Sequence, residues 1–169
     1  MKLNHIYSKL FLAVLSAMLF FSCNNDNDFV KPERYLVRFV FNDAVIEFDD
    51  QASLGATLSL VNGQHMATIY GAEGEFSGLT IQVFSNSAIT TGTYSGFSLN
   101  EHYAQGVKFT FVYDLDNYLT DTDNPSGSLT ITELTDSTFR GSFSAVLVHQ
   151  LFEETITLSQ GGFYVKIMD

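Results

Sequence analysis

From Tyr35 onward, apolar and polar residues alternate with a period of two, and the three-to-four-residue spacing of an amphipathic helix is not sustained. Alternation sends successive side chains to opposite faces of a strand, so it commits most of the chain to half-buried β-structure. Tyr35, Val37, Phe39 and Phe41 share one face, and Asn42-Asp43 then offers a tight turn into residues 44–48. Segments 56–61 and 64–70 flank Asn62-Gly63, residue types that accept the left-handed backbone a two-residue hairpin demands. Leu79, Ile81 and Val83 make another face; Phe109, Phe111 and Tyr113 make a further one.

The last third predicts a four-stranded meander. Leu129 and Ile131 lie on its first strand, and Thr135-Asp136-Ser137 turns the chain. Phe139, Phe143, Ala145 and Leu147 follow on the second strand, and Ile156 and Leu158 on the third, after a loop at 150–154. Gly161-Gly162 reads as a two-residue turn into Phe163, Val165 and Ile167. Clustered Asp, Asn and Pro predict one long loop over 113–127, and residues 100–104 predict a single helical turn. The expectation is an all-β domain of nine or ten short, mostly antiparallel strands. Either a β-sandwich or a partly closed, lipocalin-like barrel fits this pattern.

The segment before the alternation has a different character. Lys2 and Lys9 precede an apolar run from Leu10 to Phe21, and Ser22 stands directly before Cys23, the only cysteine in the chain. A charged start, a short apolar stretch and a small residue are the layout of a secretory signal. The run is also shorter than the roughly twenty residues a spanning helix needs. A cysteine at the cut site becomes the lipidated N-terminus, and two or more acyl chains such as palmitate make an anchor durable. The expected organisation is a signal at 1–22, a lipidated Cys23 with a polar tether over 23–33, and one β domain over 34–169. Removing the signal takes away two of the eight basic residues and none of the nineteen acidic ones, which leaves a formal charge of −13. That balance argues against nucleic acid as a partner.

Cys23-Asn24-Asn25-Asp26-Asn27-Asp28 resembles the signal of Bacteroidota lipoproteins that are exported to the outer face of the outer membrane. Thr91-Gly92-Thr93-Tyr94, Gly127-Ser128-Leu129-Thr130-Ile131-Thr132, Gly141-Ser142-Phe143-Ser144 and Gly162-Phe163 are similar to a family of small Bacteroidota lipoproteins of unknown function. In that family a "GTY" turn precedes a ladder of glycine-bearing hairpins. The resemblance implies an all-β fold and a surface-exposed, outer-membrane location, and it carries no catalytic residue.

The remaining candidates for chemistry are sparse. Asp114, Asp116, Asp121 and Asp123 lie within ten residues and supply the hard oxygens calcium takes, without the glycine and terminal glutamate of an EF-hand. His65, His102 and His149 are isolated in sequence, and His65 and His149 read as rim residues. Zinc-enzyme spacings, a nucleophile elbow and phosphate-cradling glycine loops do not occur. No cofactor is implied. Tyrosines pair an apolar body with a polar tip, which makes Tyr94, Tyr103, Tyr113 and Tyr118 candidates for ligand contact. Leu151-Phe152 puts two apolar residues in a loop, either as a contact for a partner or lipid or folded back under the sheet. The expectation is a lipid-anchored binding module without chemistry of its own, whose partner is an envelope protein or an extracellular ligand such as a glycan. The alternative is a lipocalin-like carrier, which needs a cavity of several hundred Å³.

Overall fold

The computed structural model describes residues 34–100 and 103–168; Cys23, the tether and His102 lie outside them. Among the described residues, every regular element is a β-strand. The first hairpin is β1 (Leu36–Phe41) and β2 (Ala44–Phe48), and the second is β3 (Leu54–Val61) and β4 (Gln64–Glu73). Then come β5 (Ser77–Ser85), the short β6 (Gly92–Ser95) and β7 (Phe97–Leu99), and β8 (Ala104–Tyr113). The chain ends with β9 (Asp116–Thr120), β10 (Ser126–Leu134), β11 (Thr138–His149) and β12 (Thr155–Lys166). Asn42-Asp43 (φ 49° and 60°) and Asn62-Gly63 (φ 52° and 79°) both turn the chain through the left-handed region, as their residue types predict.

Strands β12, β11, β9, β8, β5, β4 and β3 are consecutive antiparallel neighbours. The far edge of β3 returns to the end of β12 through a parallel bridge between Ala56 and Ile167, where Met168 N–H donates to the Ala56 carbonyl at 2.8 Å. The sheet therefore curls into a nearly closed barrel, which decides between the two architectures the alternation allowed. Hairpin β1–β2 pairs along β12 over 36–40. Strands β9 and β10 lie end to end along β11, since Thr120 faces Leu147 and Ser126 faces Val146. Residues 121–125 between them bow out as a loop. Where β9 leaves β8, the Thr120 hydroxyl takes over from backbone pairing and accepts the Phe109 N–H at 2.7 Å.

Several expectations need correction. The meander has three strands, because β12 runs unbroken through Gly161-Gly162. Gln160, at φ 51°, marks an irregularity in the strand, and a Cβ on Gly161 would lie 2.6 Å from Phe143 Cδ2. The glycine is there for close packing against an aromatic ring. The predicted long loop contains β9, since Tyr118 and Thr120 face inward in strict alternation. The helical turn expected at 100–104 includes residues 101–102, which lie outside the described residues; on either side of them Leu99 pairs with Ala104. Gly92–Ser95, the "GTY" turn of the resemblance, is strand β6. Short strands β6, β7 and β9 bring the total among the described residues to twelve.

Inside the barrel the aromatic rings meet one another. Phe39 lies 5.2 Å edge-on from Phe111, 5.9 Å from Phe48 and 6.0 Å from Phe143, which joins β1, β2, β8 and β11 through one residue. Phe39, Phe48, Phe109, Phe111, Phe139 and Phe163 are fully buried. Edge-on and tilted geometries suit ring quadrupoles and add to the burial term.

Candidate interaction site at the far end of the barrel

The chain enters β1 at one end of the barrel and reaches the other at Asn42-Asp43. At this far end Phe41 packs against Tyr113 at 5.2 Å, and Tyr113 faces Ser77 across the β5–β8 pair. Four connections thus gather there: β1–β2, β4–β5, β8–β9 and β11–β12. Two of them are unusual.

The β8–β9 turn is Asp114-Leu115, with φ 50° and 75°. Leucine in the left-handed region costs about 1–2 kcal/mol relative to its usual conformations, and glycine would not meet that cost. Leu115 is 67% exposed, so burial does not offset it.

Beside this turn, the loop after β11 is organised by a buried imidazole. His149 Nδ1 lies 3.1 Å from both the Leu151 and the Phe152 N–H groups, which donate to it. Two donors aimed at Nδ1 assign the ring proton to Nε2, which faces Asp116 Oδ1 at 3.3 Å. Gln150 N–H donates to the Asn117 carbonyl at 2.8 Å, and His149 N–H to the Glu154 carbonyl at 2.8 Å. The Phe152 ring lies over His149 at 4.8 Å, with Tyr118 edge-on to the imidazole at 5.2 Å. The loop backbone is therefore satisfied from beneath, while Leu151 (80%) and Phe152 (64%) face solvent. They do not fold back under the sheet.

Charge at this end has one sign. Asp43, Asp114, Asp116, Glu153 and Glu154 lie in or beside these connections, Glu73 and Glu75 precede the exposed Phe76 in another, and none of the four contains lysine or arginine. Burial, reinforced by the charges of Asp116 and Glu154, raises the Tyr118 phenol above its ordinary value of 10.0. Toward the other end lie Arg34, Arg38, Arg140 and Lys166. Arg34 bonds Glu47 at 2.6 Å and also Asp49, and Arg140 lies 3.9 Å from Glu133.

The tyrosine candidates do not form one site. Tyr113 and Tyr118 converge at the far end, where Tyr118 is buried and stacks on Phe111 at 6.2 Å. Tyr94 lines an open groove of about 490 Å³ with Phe84 and Phe97, its hydroxyl tied to the backbone of Thr90 at 3.0 and 3.1 Å. Tyr103 borders a separate recess of about 170 Å³ with Met66 and Phe84. The calcium candidates divide as well. Asp114 lies in the β8–β9 turn and Asp116 begins β9, whereas Asp121 and Asp123 lie beyond the other end of that strand, where Asp121 Oδ1 accepts the Asp123 N–H at 2.9 Å. Among the described residues, no group of three or more His, Cys, Asp or Glu side chains is placed to hold a metal ion.

Sequence reasoning placed His149 on the rim, and the structure buries it. Its signal was present in the parity of β11: Phe139, Phe143, Ala145, Leu147 and His149 are all odd-numbered and all buried. No protein-family model, no curated protein and no solved structure matches the chain, so the site stands on its geometry alone.

Proposed function

We propose that this protein is a lipid-anchored binding module of the bacterial cell envelope, held at the outer membrane by acyl chains on Cys23 and displayed at the cell surface. The observation that carries the reading is the pairing of a ring-filled interior with an ordered, exposed apolar tip. A packed barrel favours recognition on the outside over a ligand enclosed within. It therefore supports the binding module over the lipocalin-like carrier.

Protein purified from its native cells tests both parts. Mass spectrometry is expected to find Cys23 as an acylated N-terminus, and protease added to intact cells is expected to remove the domain. A start at Met1 with a free thiol overturns the anchor. Organic extraction is expected to release no stoichiometric apolar compound beyond the anchor itself, and recovery of one would establish the carrier.

A further inference from the structure

We propose that Leu115, Leu151 and Phe152 form a docking knob for a protein partner that presents an apolar recess rimmed by lysine or arginine. The inference rests on the binding-module reading and names where and what that module binds. Three independent observations point the same way.

First, the knob is preorganised. His149 Nδ1 fixes the Leu151 and Phe152 amides, Gln150 is tied to Asn117, and the Phe152 ring rests on the imidazole. Ordering a loop on binding costs affinity, and a loop that is already ordered avoids that loss. Exposed aromatic and aliphatic side chains on a fixed backbone are the usual anchors of an interface.

Second, Leu115 occupies a left-handed position that stability alone would give to glycine or asparagine. A strained, exposed apolar residue gains nothing for the fold, so its use lies outside the fold.

Third, the surrounding charge chooses the partner. Asp43, Asp114, Asp116, Glu153 and Glu154 lie in or beside the connections at this end, and those connections contain no lysine or arginine. A basic rim complements that acidic end and speeds encounter. A second copy of this chain would bring carboxylate against carboxylate, and an anionic lipid surface would be repelled. Position agrees. Strand β1 separates the chain's entry at Leu36 from the Asn42-Asp43 turn by six residues, about 20 Å. The knob thus lies at the end of β1 opposite the chain's entry into the barrel.

The test uses full-length, lipidated protein in its native cells, with a benzophenone amino acid replacing Leu151, or Ser144 on the barrel wall as a comparison. Light is expected to give one discrete adduct with another protein from position 151 and little from 144. Glu153→Lys combined with Glu154→Lys is expected to cut the adduct about tenfold with an unchanged Tm. Leu115→Gly is expected to cut it while raising the Tm, a pairing that loss of fold cannot produce. An adduct indifferent to the charge reversal overturns the basic rim. An adduct of twice the protein's own mass, or lipid adducts at 151 with binding to phosphatidylglycerol–phosphatidylethanolamine vesicles, assigns the knob to a different occupant and overturns the proposal. Adducts from 144 alone refute the knob and leave the binding module standing. Absence of adducts from both positions counts against the two together.

Discussion

Strand β11 begins at one turn and ends at another, and the two are held in opposite ways. Before it, Thr135-Asp136-Ser137 satisfies itself. The Thr135 hydroxyl accepts the N–H groups of Ser137 and Thr138 at 3.2 and 3.0 Å and meets the Thr138 hydroxyl at 2.8 Å. After it, the backbone of 151–152 is satisfied by His149, a side chain from the strand itself. A turn that uses its own hydroxyls is confined to polar residues. A loop held from below has side chains to spare, and here they are leucine and phenylalanine. The same contrast separates the hairpin turns. Asn62-Gly63 uses residues suited to its backbone, whereas Asp114-Leu115 does not.

If the two ends share one interior, damage there destroys both at once. Phe39→Ala removes the ring that joins β1, β2, β8 and β11, and such truncations cost about 3–5 kcal/mol. Chemical denaturation followed by probes at Asp136 and at Leu151 is expected to give one shared midpoint, moved down. Separate midpoints would mean that the far end folds as a unit of its own.

Next in size is the imidazole. His149→Ala leaves two partly buried amides without their acceptor, and each lost bond costs about 0.5–1.5 kcal/mol once water reaches the freed donor. Hydrogen exchange at Leu151 and Phe152 is expected to quicken, while Ser137 and Thr138 stay as slow as in the parent. Equal quickening at both turns would show that His149 serves the core and not the loop.

Leu115→Gly carries the opposite sign. Relief of about 1–2 kcal/mol of left-handed strain exceeds the roughly 0.5–1 kcal/mol that glycine adds in chain entropy. A net gain of up to about 1.5 kcal/mol is expected, read as a rise in the denaturation midpoint. Asn62→Gly at the other hairpin, where the parent residue already suits its backbone, is expected to change little.

Alkaline pH separates the ends more gently. The raised pKa of Tyr118 means its neutral form is favoured in the folded state. Its contribution is complete below its ordinary value of 10.0 and is lost as pH climbs through the raised value. Tyr118→Phe is expected to flatten the fall in Tm above pH 10, and a parallel curve for variant and parent would refute that contribution.

Alternation alone located most of the sheet, because Phe39, Phe109, Phe111 and Phe139 follow the pleat without exception and a period-two pattern has only one face to bury. It failed where pairing is decided by partners distant in sequence. Strand β9 looked like loop because its acidic neighbours dominate the composition, yet it is held by β8 and β11. Gly161-Gly162 looked like a turn because the need for close approach to Phe143 is invisible until β11 lies alongside. The knob was half legible: Leu151-Phe152 stood out as apolar in a loop. What keeps the pair exposed is a histidine whose partners are amides, and backbone amides carry no mark in a sequence.

The smallest expected effect is the one that bears most directly on function. Leu151 is 80% exposed, so Leu151→Ser removes little buried surface, and surface changes of this kind stay within about 0.5 kcal/mol. The expected Tm therefore equals that of the parent, and solubility is expected to rise as the exposed apolar area shrinks. A clear drop in Tm would mean that Leu151 is covered by the rest of the chain in solution. The exposed tip would then be a packed one, and the difference between the two ends of β11 would reduce to chemistry of the fold. An unchanged Tm leaves Leu151 with no structural duty, which is the condition a residue kept for contact with another molecule has to meet.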